Sequence, residues 1–257
     1  MEEPWSFGRI FSAAGTVYKL NFKNYLWIIL LLLVPMALFM ALVTPSASEV
    51  AKDGETAEVL INTQRWLPTL VLSLVNAFFV LIATLSVYQL TADTVNGTPQ
   101  TAPDAIRKAF RKTMPGIQTG ILGFLIVSLL SLVIIPGIMW AVYYTFGFCA
   151  VMLRDERGMN ALDYSKSIVE GRWWRVAGAV ALFGILAALV QGVATLIFGM
   201  ALGIYQNKPA GFDPLNLIFT LLGTTATYLS QSFMWTGITV LFLTLEPSRK
   251  IRRAGNS

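Results

Sequence analysis

The chain reads as an all-α, polytopic membrane protein with six transmembrane helices, and three observations carry that reading. Hydrophobic residues make up 55% of its 257 residues, with a mean hydropathy of +0.64. Uncharged runs recur along it, and about 20 apolar residues already span a bilayer. Every Lys and Arg except Lys52, Arg65 and Lys208 falls on every second connection once six crossings are drawn. Cytoplasmic loops hold the excess of Lys and Arg, so both termini are expected inside, in a cell inner membrane. Five or seven crossings would put large basic clusters on opposite faces.

The chain begins Met1-Glu2-Glu3 and its first apolar run is long enough to stay in the bilayer, so no cleaved signal is expected. Arg9, Ser12, Thr16, Lys19 and Lys23 recur at steps of three and four, opposite Phe7, Ile10, Phe11, Ala14, Tyr18 and Phe22. That pattern predicts an amphipathic interfacial helix over 5–24. The first crossing covers 25–43, and Pro45 with the acidic residues Glu49, Asp53, Glu55 and Glu58 makes an outer loop over 44–66. The second crossing takes 67–92.

Asp93, Asn96-Gly97 and Pro99 break the pattern, and a second amphipathic inner helix follows over 101–114. Thr101 with Asp104 three residues on forms a capping signal, and Arg107, Lys108, Arg111 and Lys112 face away from Ile106, Ala109 and Phe110. From Thr113 to Leu153 there is no Asp, Glu, Lys or Arg. As one helix this run would reach about 60 Å, twice the hydrocarbon thickness, so it is read as a hairpin of crossings three (115–135) and four (137–153). Pro136-Gly137 is the expected turn, since one residue lacks a backbone donor and the other is permissive.

A third inner helix is expected over 160–171, with Asn160 and Asp163 at its start and Gly171 at its end. Crossing five covers 174–204, an outer loop 205–214, crossing six 215–245 and an inner tail 246–257, within a single membrane domain. Each interfacial helix precedes an odd-numbered crossing, which suggests a threefold repeat of amphipathic helix plus transmembrane hairpin. Lys19, Lys108 and Lys166 stand at roughly corresponding places.

Composition removes whole classes of chemistry. The chain has no His and one Cys, so imidazole catalysis, disulfides and Cys-based metal sites are unavailable, and no metal or cofactor is expected. Cys149 reads as a packed small hydrophobe. The net charge of +5 flanks apolar spans, which points to anionic phospholipid headgroups and away from nucleic acid. No charged residue lies at mid-membrane, where polytopic enzymes and ion-coupled carriers keep one. The polar residues there are Asn76, Gln191 and Gln231, expected to hydrogen-bond between helices. The headgroup candidates are Lys19, Lys23, Arg107, Lys108, Arg111, Lys112, Lys166, Arg172, Trp173, Trp174 and Arg175; the two Trp rings between Arg172 and Arg175 have the composition of an interfacial anchor.

The stretch Ile135 to Val176 carries Pro136-Gly137-Ile138, the aromatic run Tyr143 to Phe148, an acidic turn before Gly158, Ala161-Leu162 with Ser165, and Gly171 to Arg175. It resembles the signature of the glycerophosphodiester phosphodiesterase membrane-domain family and its bacterial relatives. In that family the enzymatic activity resides in a separate soluble barrel, which a chain of this length with no His does not contain. The resemblance therefore implies a stand-alone membrane domain with no reaction to carry over. The expected function is a non-enzymatic lipid-binding scaffold or lipid-handling element. The alternative is the membrane subunit of an exporter, docking a cytoplasmic ATPase on the inner helices.

Overall fold

A computed structural model describes residues 7–43, 63–205 and 214–255. Ten α-helices and one π-helical turn appear among them, and no strand: α1 (Phe7–Ile28), the π turn (Ile29–Leu33), α2 (Val34–Val43), α3 (Thr63–Val95), α4 (Ala102–Arg111), α5 (Thr113–Leu130), α6 (Ile134–Tyr143), α7 (Gly147–Arg154), α8 (Gly158–Val169), α9 (Trp173–Tyr205) and α10 (Pro214–Gly255). Six segments are long and apolar enough to cross a membrane: Phe7–Met36, Leu70–Val95, Thr113–Leu130, Ile134–Arg154, Trp173–Phe198 and Ile218–Glu246. The protein is an all-helical, multi-pass membrane protein.

Helix starts follow from proline chemistry. Pro103, Pro115 and Pro136 each fall in the first turn of a helix, where a missing backbone N–H forfeits no bond. Pro35 sits within the first membrane segment, where its ring would press on the carbonyl four residues earlier. The π turn just before it, closed by Val34 N–H on Ile29 C=O, widens the helix at that point.

Several boundaries differ from the sequence reading. From Phe7 to Val43 the interfacial helix expected at 5–24 and the crossing at 25–43 follow one another as continuous helix, through the π turn and with no loop between them, because no proline lies between Phe7 and Pro35. The reversal between crossings three and four lies at Ser131 to Val133, ahead of Pro136-Gly137, which instead belong to the first turn of α6. Gly137 is needed for a close approach: a methyl there would stand 2.7 Å from Ser131 Oγ and 2.8 Å from its Cα. The expected fourth crossing is two helices, α6 and α7, parted at Tyr144 to Phe146. The inner helix at 101–114 ends at Arg111, with Lys112 as the kink into α5. The inner tail at 246–257 continues as helix to Gly255. Most of the outer loops at 44–66 and 205–214 lies outside the described residues.

Capping differs too. The Thr101 hydroxyl donates to Asp104 Oδ2 at 2.6 Å instead of accepting from a backbone N–H. The helix expected from Asn160 begins at Gly158, with Asn160 inside its first turn. Gly171 does stand just past the end of α8, at φ +77°, a left-handed conformation that suits glycine.

Burial gathers at one end. There α1 (Ile10, Ala14, Tyr25), α3 (Ile82 to Ala92), α4 (Ala102, Ala105, Ala109), α7 (Cys149 to Met152), the start of α9 (Val176, Phe183) and α10 (Trp235 to Leu245) pack together. The other halves of α3, α9 and α10 expose Leu70, Leu74, Leu189, Val193, Leu196, Ile218 and Leu222. Apolar side chains facing lipid lose nothing by staying there, so packing density and interhelical hydrogen bonds hold the buried end together.

Candidate functional site

The buried end carries polar groups in matched sets. Asn21 donates to Thr94 Oγ1 at 2.8 Å, and Tyr25 Oη meets Thr91 Oγ1 at 2.8 Å while accepting from Thr236 at 3.1 Å, which ties α1, α3 and α10 at one level. Asp93 is 8% exposed; Gln89 donates to its carboxylate, and Lys108 of α4 lies 3.6 Å away. Lys112 pairs with Asp155. Glu246, 6% exposed, takes a two-pronged ion pair from Arg154 and a 2.6 Å bond from the Tyr164 hydroxyl, joining α7, α8 and α10. Two parallel N–H donors on one carboxylate fix geometry as well as charge.

The break between α6 and α7 leaves backbone groups without helical partners, and Ser165 of α8 supplies them. Its Oγ accepts from Phe146 N–H at 3.0 Å and donates to Tyr143 C=O at 2.6 Å. Irregular backbone at membrane depth is tolerated where protein satisfies it in this way. Ser165→Ala is expected to strand both groups and destabilise the protein by about 2 kcal/mol, with Ser165→Thr losing less; detergent unfolding curves check it.

Beside this break α8 runs along α5 in the same direction. Gly158 N–H donates to Thr119 Oγ1 at 3.0 Å, and one turn on, Leu162 packs where Gly123 and Gly147 leave room. Further along, the Lys166 ammonium sits 4.8 Å over the Trp140 ring, and Trp173 Nε1 donates to Met139 C=O at 3.2 Å. Trp173 and Trp174, edge to face at 4.6 Å, line a cleft of about 320 Å³ with Ile135, Ile138, Met139 and Tyr143. The lining is apolar apart from the indole N–H groups and the Tyr143 hydroxyl, and Lys166, Arg172 and Arg175 stand on the adjoining elements. A second cleft of about 360 Å³ lies between α1 and α4, lined by Asn24, Trp27, Leu31, Thr101, Ala102, Pro103 and Ile106.

The structure brings only part of the sequence-predicted set together. Lys166, Trp173 and Trp174 meet around Trp140 and Met139. Lys19, Lys23, Arg107 and Arg111 are exposed on α1 and α4, whereas Lys108 and Lys112 engage carboxylates. Of the mid-membrane polar residues, Asn76 is half-buried on α3. Gln191 faces outward from the bundle, on the same side of α9 as Ala188 and Gly192. Gln231 is half-buried, and it is its neighbours Ser230 and Ser232 that are buried.

The Arg154–Glu246–Tyr164 cluster escaped sequence reasoning. Its signal is that Arg154 closes the uncharged run from Thr113 and Glu246 closes the run from Pro214, so two spans end in opposite charges. Among the described residues no group of three or more His, Cys, Asp and Glu stands ready to hold a metal. Comparison with protein-family models, with curated proteins and with solved structures gives no match for this chain.

Proposed function

We propose that this is a non-enzymatic inner-membrane protein, both termini cytoplasmic, that holds anionic phospholipid at its basic end as a scaffold or lipid-handling element. The observation that carries the reading is the Trp173–Trp174 cleft, whose apolar lining adjoins Lys166, Arg172 and Arg175. Charge of one sign beside an aromatic and aliphatic pocket matches a lipid that is anionic at one end and apolar at the other. The cleft falls within Ile135–Val176, the stretch that resembles the phosphodiesterase membrane-domain family, so the proposal reads that signature as lipid-handling and assigns it no reaction. The amphipathic helices α4 and α8 are read as lying against the same leaflet.

The test compares labelled phosphatidylglycerol with phosphatidylcholine binding to the purified protein in detergent. Each cation near a headgroup contributes about 1 kcal/mol, so Arg172→Gln with Arg175→Gln together should weaken phosphatidylglycerol binding roughly 30-fold and leave phosphatidylcholine unchanged. The paired change Arg107→Gln and Arg111→Gln, remote from the cleft, should weaken it much less. Equal binding of the two lipids by the unaltered protein overturns the proposal, and an ATPase that co-purifies in fixed ratio favours the exporter reading in its place.

A further inference from the structure

We infer that the hairpin of α5 and α6 does not cross the bilayer, but enters the leaflet on the basic side and seats its tip among the acyl chains of that leaflet. The argument starts from the register of α9 against α10. In that antiparallel pair Phe183 faces Gly237, Ala187 faces Ser230 and Phe198 faces Gly223, which sets Trp173 opposite the turn of α10 that carries Glu246. Both ends of the supposed fourth crossing are tied to this one level. Arg154, at the end of α7, grips Glu246, and Met139, midway along α6 and near the start of the expected crossing 137–153, receives the Trp173 indole.

A helix aligned with α9 and α10 would hold Met139 and Arg154 roughly 20 Å apart along the bundle axis. The structure brings both to the same end, so α6 and α7 run across that axis, bent at Tyr144 to Phe146. The other helix of the hairpin agrees. Helix α5 has 18 residues, about 27 Å at its longest, against about 50 Å for the 33-residue helix α9. An α5 of this length is at the lower limit for crossing the roughly 30 Å hydrocarbon core upright, and any tilt takes it below that limit.

The tip is too apolar for water. Leu132 is 82% exposed, Ile134 75% and Ile135 73%, with Leu129, Val133 and Ile138 beside them and no charged residue between Lys112 and Arg154. Trp174, itself 82% exposed, stands next to this patch between Arg172 and Arg175. Indole and guanidinium together belong at the headgroup level, and the tip beside them belongs just below it. Two half-entries from one face leave the parity of crossings unchanged. The distribution of Lys and Arg is therefore met by four crossings and a hairpin as well as by six crossings.

The inference rests on membrane insertion of the chain and is independent of which lipid the Trp173–Trp174 cleft binds. Its test uses Leu132→Cys in a Cys149→Ala background, with Ile135→Cys as a second position and Arg157→Cys as the marker of the basic face. Sealed vesicles of each orientation are treated with a membrane-impermeant maleimide. The same cysteines, carrying an environment-sensitive fluorophore, are then placed in bilayers of lipid brominated along the acyl chain. The inference expects loss of emission in brominated lipid and no labelling of position 132 or 135 from the face opposite Arg157. Labelling from that opposite face overturns it, and so does emission that brominated chains leave unchanged. Altered lipid selectivity with these two results intact would count against the proposed function alone.

Discussion

Arg154→Leu is expected to be among the most damaging single changes in the protein, lowering stability by about 3 kcal/mol. The substitution removes the two-pronged ion pair from the buried Glu246 carboxylate, which keeps the bond from the Tyr164 hydroxyl, and taking one partner from a buried ion pair is strongly unfavourable. The mirror change should be milder. The Arg154 side chain keeps 38% of its surface exposed, so in Glu246→Leu it can turn toward headgroups and water, at a cost nearer 1 kcal/mol. The double variant Arg154→Leu with Glu246→Leu should recover most of the loss, because apolar replacement of both partners removes the desolvation penalty. Thermal unfolding in detergent, followed by tryptophan emission, reads all three. If the two single variants fell equally and the double variant fell by their sum, the groups would not be coupled.

The second large effect is steric. Gly237 of α10 faces the Phe183 ring of α9 so closely that a methyl there would stand 2.5 Å from a ring carbon. Phe183 has little freedom to yield: it is 1% exposed and its ring clusters with those of Phe11, at 5.9 Å, and Phe233, at 5.8 Å, which also touch each other. Gly237→Val should therefore separate α9 from α10 at this level and destabilise by about 3 kcal/mol, equivalent to roughly 10 °C in melting temperature. Pairing it with Phe183→Leu should restore part of the loss, since the smaller side chain vacates the space. No recovery in the pair would show that the clash is absorbed elsewhere.

What could be read from the sequence was what a single helix reveals by itself. Uncharged length locates Leu70–Val95 and Trp173–Phe198, and a glycine past the last turn locates the end of α8 near Gly171. Relations between helices were harder to see, because lipid removes the periodicity that would report them: Leu189 toward lipid and Leu241 toward protein are the same residue type. Pro136-Gly137 reads as a turn in the sequence because proline starts helices as readily as it ends them, and here it serves a start. The break at Tyr144 to Phe146 carries no proline or charge, and its only mark is Ser165, 19 residues away in the chain. Among the cations, Lys108 and Lys112 look identical in sequence to Arg107 and Arg111. Only the arrival of Asp93 and Asp155 from neighbouring segments separates them.

The remoteness of those partners orders the biosynthesis of the molecule. As the chain leaves the ribosome, Tyr143 and Phe146 emerge before the serine hydroxyl that completes their backbone bonding, and Arg154 precedes its carboxylate by 92 residues. The segment from α6 to α8 thus stays provisional until α10 is made. The closing latch arrives only with α10, so a protein truncated ahead of Glu246 would leave α6 to α8 unsecured for quality-control proteases to find.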